Sequence, residues 1–316
     1  MKLSLVVPCF NEQDNVQLFH DVCKEAFKNI ESYEIIYVND GSHDNTWAKL
    51  KEMYKNETGI KLINFSRNFG KEAAMYAGLQ KASGDYVTII DADLQQRPEI
   101  VVDMIRFLDE NGDYDCVAAY QEERKESKVL SFFKNTFYKC INNICEIDFK
   151  SGASDFRTFR HKMIDSILDV KEYFRFSKGI FSWIGYNTYY MPYVVEERNA
   201  GETSWSFGKL MKYAIEGILA FSTFPLRIAA YMGGTFSVLS LLYMMIVIIQ
   251  KIVFGIEIPG YPTLVVLILF VGGIQMLLLG IIGQYIAKIY IEGKKRPIYI
   301  AKEYIGEEDD NSIKEV

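Results

Sequence analysis

Cysteine is scarce, five in 316 residues, and Cys9, Cys23, Cys116, Cys140 and Cys145 form no Cys-x-x-Cys pair and meet no histidine at zinc spacing. This argues against a disulfide scaffold or a thiolate metal centre and leaves reduced thiols as the expectation. An excess of positive charge is also missing: 35 Lys and Arg stand against 41 Asp and Glu, a net charge of −6. A general nucleic-acid binder would carry a basic face, so no nucleic-acid partner is expected. There is no Gly-x-x-x-x-Gly-Lys-Ser/Thr and no Gly-x-Gly-x-x-Gly, which sets aside a P-loop and a dinucleotide site. Charge itself is absent from Ile228–Ile249 and from Thr263–Ala287. That excludes a simple water-soluble globule.

Each uncharged stretch exceeds the ~20 residues a helix needs to cross ~30 Å of hydrocarbon. Between them Gly255–Pro262 is rich in turn residues, so the pair reads as a transmembrane hairpin, with spans at about 228–250 and 263–287. Lys209, Lys212 and Arg227 precede it, and Lys288, Lys294, Lys295 and Arg296 come after it, whereas the connection offers only Lys251. The positive-inside rule therefore puts both termini and everything outside the hairpin in the cytoplasm, on a two-span protein of the cell membrane. Paired glycines (Gly233, Gly234, Gly272, Gly273, Gly280, Gly283) offer faces for close helix contact. Ahead of the hairpin, Phe207, Leu210, Met211, Ala214, Ile215, Ile218 and Leu219 recur at helical spacing, which suits a helix lying in the headgroup region. A second apolar stripe over Val129–Cys145 fits core packing and membrane contact equally. The resulting plan is a domain over 1–204, an interfacial helical region over 205–225, two spans within 226–291 and a cytoplasmic tail over 292–316.

The charged half alternates. Short apolar runs at Leu3–Val7, Glu34–Val38, Lys61–Phe65, Tyr86–Ile90 and Cys116–Ala119 predict strands. Helical patterns lie between them at Asn15–Asn29, Asp44–Lys55, Glu72–Lys81 and Pro98–Asn111. Such alternation implies an α/β fold with a mainly parallel sheet covered on both faces, whose ligands sit beyond the carboxyl ends of the strands. Polar clusters fall at those ends: Pro8–Glu12, Asn39–Asp44, Ser66–Lys71 and Asp91–Gln96. Asp91 and Asp93, two apart at a strand end, project the same way, and like charges so placed call for a cation. Hard oxygen ligands suit Mg²⁺ or Mn²⁺ bridging to phosphate, with Gln95 as a further donor. Arg67 and Lys71 bring positive charge to a diphosphate, and Glu12 and Asp40 can accept hydrogen bonds from a nucleobase or ribose.

These residues resemble a known family. The series Val6-Val-Pro-Cys-Phe-Asn-Glu12, Val38-Asn-Asp-Gly-Ser42, Arg67-Asn-Phe-Gly-Lys-Glu-Ala-Ala74 and Asp91-Ala-Asp-Leu-Gln-Gln-Arg-Pro-Glu99 is similar to glycosyltransferase family 2. Within it, the branch of polyprenyl-phosphate (dolichyl-phosphate and bactoprenol) glycosyltransferases is the nearest in pattern, from Leu3 to about Lys295. The resemblance implies a type A glycosyltransferase fold, a mixed, mostly parallel sheet with an Asp-x-Asp metal site. It implies that Pro8, Phe10, Glu12 and Asp40 hold the nucleoside, and that Asp91, Asp93 and Gln95 hold Mg²⁺ or Mn²⁺. Ser154-Asp155-Phe-Arg157 resembles the family's Gly-Asp-Phe-Arg segment, which brings Asp155 and Arg157 to the reaction centre beside Asp93. Glu197–Trp205 resembles the loop that closes over the diphosphate, giving Arg198 and Ser204 to the nucleotide sugar, although Thr203 and Trp205 depart from its pattern. Gln121 stands where a first acceptor arginine is expected, which leaves Arg124 as the candidate for the lipid phosphate.

The reaction so implied is attack by a polyprenyl phosphate, undecaprenyl phosphate by resemblance, on a nucleotide sugar, UDP-linked by analogy, with inversion. Its product would be a lipid-linked sugar for modifying envelope glycans. A phosphate monoester is largely dianionic at neutral pH, its second pKa being ~6, so a strong base is not required. Alignment and neutralisation of the leaving diphosphate remain. Asp155 either orients the acceptor or sugar hydroxyls or is a structural partner of Arg157. A homo-oligomer, a tetramer, is implied by the resemblance. Two rival readings stand beside this one: a processive polysaccharide synthase, whose Gln-x-x-Arg-Trp segment is absent here, and a non-catalytic membrane-anchored nucleotide-sugar binder.

Overall fold

The computed structural model describes residues 2–121, 153–194, 221–254 and 260–306. The Val129–Cys145 stripe, the Phe207–Leu219 helix, Arg124, Arg198, Ser204 and the acidic end after Gly306 lie outside the described residues. Strands β1 (Lys2–Cys9), β2 (Ser32–Asn39), β3 (Ile60–Phe65) and β4 (Tyr86–Ile89) alternate with helices α1 (Val16–Ala26), α2 (Thr46–Asn56), α3 (Lys71–Lys81) and α4 (Glu99–Glu110). Each falls where the hydrophobic pattern puts it. Beyond them come β5 (Cys116–Gln121), β6 (Ala153–Arg160), α5 (His161–Asp169), α6 (Ser177–Trp183) and β7 (Thr188–Tyr193). The chain ends with α7 (Phe224–Phe254), α8 (Tyr261–Gly293) and β8 (Ala301–Ile305).

One eight-stranded sheet runs in the order β7-β5-β6-β4-β1-β2-β3-β8. β1 pairs in parallel with β2 and β4, and β2 with β3; β6 is antiparallel to β4 and β5, and β8 to β3. The sheet is therefore mixed and mostly parallel, as expected. Alternation along β1 sends Leu3, Leu5 and Val7 to one face, where they meet Phe19 of α1, Leu50 of α2 and Met104 of α4. Val6 goes to the other, with Ala73, Ala74 and Ala77 of α3, Ile164 of α5 and Phe181 of α6. Each such fully buried aliphatic or aromatic side chain contributes ~1.5–3 kcal/mol. The small residues of α3 let that helix lie close on β1 and β2.

The topology creates the site. From β1 the chain steps outward to β2 and β3 through α1 and α2 on one face. It then returns across β1 to β4 through α3 on the other. The order reverses between β1 and β4, and in sheets of this kind the ligand crevice lies at that point, beyond the carboxyl ends of the strands.

α7 and α8 contain candidate spans of 27 and 28 residues, Phe224–Gln250 and Val266–Gly293. Leu239, Leu242, Met245, Leu269 and Phe270 are all more than half exposed, an apolar area that water would not tolerate on a monomer. The helices touch through Phe236 and Phe270, ring centroids 6.0 Å apart. The paired glycines, expected at close helix faces, meet nothing within 4 Å of an added Cβ, so the hairpin does not use them within this chain. α8 also outruns the uncharged stretch, because Lys288 and Glu292 find partners on the α/β domain: Lys288 Nζ lies 5.7 Å from the Phe174 ring centroid, and Tyr173 N donates to Glu292 Oε2 at 3.1 Å. Past Gly293 the chain returns to the sheet. Tyr299 stacks on Phe65 at 4.8 Å, and β8 covers the free edge of β3. Residues expected to be a tail thus supply a strand.

Candidate active site

The first two rim loops are tied together. Asn11 N donates to Ser42 Oγ at 3.0 Å and His43 N to Asn11 Oδ1 at 2.9 Å. Asn11 holds φ +57° to do this, and Leu94, in the loop after β4, holds φ +58°. A leucine in the left-handed region costs ~1–2 kcal/mol, a strain that tends to persist where a loop is shaped for function. Glu12 is held by its neighbour, Oε2 accepting from Asn15 Nδ2 at 2.6 Å. Phe10 stands 42% exposed, edge-on to His43 at 6.2 Å, an apolar surface at the mouth beside Pro8.

Asp40 is only 3% exposed. Its Oδ1 accepts from Phe69 N at 2.7 Å and its Oδ2 from Gly70 N at 3.0 Å. Burial raises its pKa against the pull of those two N–H groups and of Arg67. The resemblance assigns this carboxylate to the nucleoside; in the structure it holds the loop before α3 and so aims Lys71. Gly41 beside it has φ +64°, and an added Cβ would stand 2.4 Å from the carbonyl carbon of Arg67, so backbone runs against backbone here.

Lys71 is the hub. Its Nζ lies 2.6 Å from Asp91 Oδ1 and 3.5 Å from Asp155 Oδ2. Burial opposes its charge, but Asp91 and Asp155 hold the ammonium's pKa above its ordinary value. Asp155 reaches this point because β6 lies antiparallel beside β4, with Ile89 opposite Arg157. Burial would raise the Asp155 pKa, yet Lys178, Lys71 and Arg157 together keep it below the usual value. Its Oδ1 is buried with no hydrogen-bond partner. Asp91 is also braced by Gln96, whose Oε1 accepts from Asp91 N at 3.1 Å, and Asp93 Oδ1 accepts from Gln95 N at 3.1 Å.

Lys71, Asp91 and Asp155 thus converge, with Asp93 and Gln95 in the adjoining turn. Arg67, on the same rim, lies over the Phe69 ring, its guanidinium carbon 3.9 Å from the centroid, and donates to Asn68 O at 2.9 Å. Arg157 is 2% exposed, donates from Nε to Ser154 O at 3.2 Å and covers the Phe181 ring at 5.0 Å. Among the described residues no group of three or more His, Cys, Asp or Glu is arranged to hold a metal unaided. Three further residues belong to the site. Glu72 accepts from Ser177 N at 2.9 Å, and burial together with the Asp155 charge pushes its pKa up to about 7. Lys178 acts on Asp155, and Tyr193 packs edge-on to Phe156 at 6.0 Å. Glu72 could have been found from its place directly after Lys71; Lys178 and Tyr193 carry no spacing signal.

A switch-point crevice with a carboxylate–ammonium centre, on a domain rooted in an apolar hairpin, fits an enzyme that handles a phosphorylated donor. The model described as glycosyl transferase family 2 matches residues 4–168, which makes this chain a glycosyltransferase. It belongs to glycosyltransferase family 2, and the model of the GtrB C-terminal hairpin matches residues 224–289. The bactoprenol glucosyl transferase of Shigella phage SfV is 40% identical over 305 residues, 96% of this chain and 98% of that one. CsbB of Bacillus subtilis (strain 168) is 40% identical over 302 residues, 95% of this chain and 91% of its own. Among solved structures, glucosyl-3-phosphoglycerate synthase from Mycobacterium tuberculosis with Mn²⁺, UDP-glucose and phosphoglyceric acid aligns with TM-score 0.45. It is 17% identical and covers 69% of this chain and 77% of that one.

Proposed function

We propose that this glycosyltransferase moves one sugar from a UDP-sugar to a polyprenyl phosphate, undecaprenyl phosphate, at the cytoplasmic face of the cell membrane, with inversion at the anomeric carbon. The observation that carries the reading is Lys71 set between Asp91 and Asp155 in a domain that the hairpin leaves and rejoins. The acceptor is supported by the 40% identity to a relative named for bactoprenol glucosylation. Physical chemistry agrees: a long isoprenoid stays in the bilayer, each buried CH₂ contributing ~0.8 kcal/mol, so the crevice must come to the headgroups. The lysines and arginines flanking the spans orient both termini and the domain to the cytoplasm.

The acceptor phosphate, dianionic at neutral pH, is the nucleophile, and the bond it makes to the sugar carbon replaces the bond to the nucleoside diphosphate. Asp155, its pKa held low, is a poor proton acceptor and suits orientation of a hydroxyl rather than base catalysis. Lys71 offsets charge that develops on the departing diphosphate, with Arg67 and Arg198 as further cations of the donor side and Ser204 as a hydrogen-bonding partner there. Pro8, Phe10, Glu12 and Asp40 shape the nucleoside end. Arg157 positions the β6 segment from beneath, and Arg124 contributes on the acceptor side. The acidic oxygen set of Asp91 and Asp93 with Gln95 fits a hard divalent cation, Mg²⁺ or Mn²⁺, completed by phosphate and water oxygens. When bound, such an ion supplies Lewis-acid stabilisation of the diphosphate. The working assembly in this reading is a homo-oligomer, a tetramer.

Membranes containing the protein, given a panel of nucleotide sugars and undecaprenyl phosphate, should form a lipid-linked monosaccharide, and Asp93→Ala should abolish it. A polymer, or no glycolipid from any donor, would overturn the proposal.

A further inference from the structure

We propose that Lys178 is the cation that receives the acceptor's phosphate group, an inference that rests on the lipid-acceptor reading above and deepens it. Helix α6 carries Lys178 and is fastened to the reaction centre at its first residue. Ser177 N donates to Glu72 Oε2 at 2.9 Å, and Ser177 Oγ donates to the same oxygen. Glu72 follows Lys71 directly, and Lys71 Nζ stands 3.5 Å from Asp155 Oδ2. On its other side α6 rests on β6, the Phe181 ring lying 5.0 Å from the Arg157 guanidinium carbon. Lys178 is foremost among the cations acting on Asp155. Among the described residues its ammonium closes no ion pair of its own, whereas Lys71 is committed to Asp91 at 2.6 Å on the donor side. Asp155 Oδ1, buried and without a partner, lacks a hydrogen-bond donor. The centre thus offers an acceptor atom in need of a hydroxyl beside a cation that, among the described residues, has no anion in ion-pair contact. A sugar and a phosphate monoester supply both.

The same element is bolted to both feet of the hairpin. The Phe176 ring lies 6.1 Å from Phe221, just ahead of α7. Three residues before α6 begins, Phe174 lies under Lys288, and Tyr173 N donates to Glu292 at 3.1 Å, both partners being on α8. Lys178 therefore stands on the stretch between reaction centre and membrane entry, the side from which an isoprenoid presents its phosphate.

Steady-state rates of the full-length protein in detergent, with donor and undecaprenyl phosphate varied in turn, test this. Lys178→Gln should raise the KM for undecaprenyl phosphate by about tenfold or more, the scale of a lost charge-assisted hydrogen bond, and leave the donor KM within about twofold. Lys178→Arg should restore most of the acceptor KM. A donor KM that moves as much as the acceptor KM, or an unchanged acceptor KM, would overturn the assignment. Should Lys178→Gln fail to fold, the charge-keeping Lys178→Arg decides: an acceptor KM that responds to ionic strength as wild type supports the role, and a kcat loss at constant acceptor KM refutes it. Wild-type protein that glycosylates no isoprenyl phosphate sinks the functional reading and this inference together. Wild-type transfer with unaltered Lys178→Gln kinetics sinks the inference alone.

Discussion

At the scale of single residues, Lys71 decides how three charges coexist. Without its ammonium, Asp91 and Asp155 would face each other with no cation in contact with both, an arrangement that shifts pKa values or repels. Lys71→Met should lower kcat/KM by about 10²–10³-fold, the range seen when one stabilising donor is removed from a charged transition state. A folded variant with wild-type rates would refute the role. Glu72 gives a pH signature. Its ordinary value is 4.5 and its pKa in the fold is about 7, raised by burial and by Asp155. The folded state therefore binds this proton more tightly than the unfolded chain. The stability it contributes is full below about 4.5 and is lost as pH rises through about 7. Urea unfolding in detergent across that window should show a falling slope that Glu72→Gln flattens. Of these residues, Lys71, Asp91 and Asp93 were legible because each sits in a polar cluster just past an apolar run. Asp155 was reached only by family resemblance, since nothing in the spacing of residues 91 and 155 makes them neighbours.

At the scale of elements, the strands that sequence pattern missed are those with weak alternation. β6 reads Ala-Ser-Asp-Phe-Arg-Thr-Phe-Arg, and its charged residues disguise a central strand in which Phe156 and Phe159 are fully buried. β7 contains Pro192 and β8 contains Lys302 and Glu303, both compatible with the edges they occupy. α6 is only seven residues long, too short to show a period, yet it links the crevice to the hairpin. Its fit is tight at Gly179, where an added Cβ would lie 2.3 Å from the Phe221 ring. Gly179→Ala should cost about 1–3 kcal/mol by overpacking. Phe221→Leu in the same chain should recover part of that loss, a non-additivity that thermal melts of the single and double variants would reveal. Strictly additive losses would show that α6 and the hairpin foot are not coupled.

At the scale of the whole molecule, the hairpin is an insertion between parts of one domain, because β8 rejoins the sheet after α8. Replacing Phe224–Gly293 by a flexible hydrophilic linker should keep β8 in place and preserve nucleotide-sugar binding. In the proposed reaction, transfer to undecaprenyl phosphate in vesicles should fall by more than about tenfold, because the crevice is then no longer held beside the bilayer. Cutting the chain after Ser222 removes β8 as well, exposes the β3 edge and should produce aggregation, visible by light scattering. Equal solubility of the two forms would argue against β8 as an edge cover.

Local properties of the chain were enough to establish the two apolar segments long enough to cross a membrane, the strand–helix alternation through α4 and the polar rim. Hydrocarbon length, side-chain period and turn chemistry act over a few residues each. The tertiary structure alone decided that β6 enters between β4 and β5, that Lys71 joins carboxylates from two strands, and that α6 ties the crevice to the membrane foot. These pairings join residues tens of positions apart, and they form because burial of two sheet faces and neutralisation of charge are satisfied together, which no local pattern records.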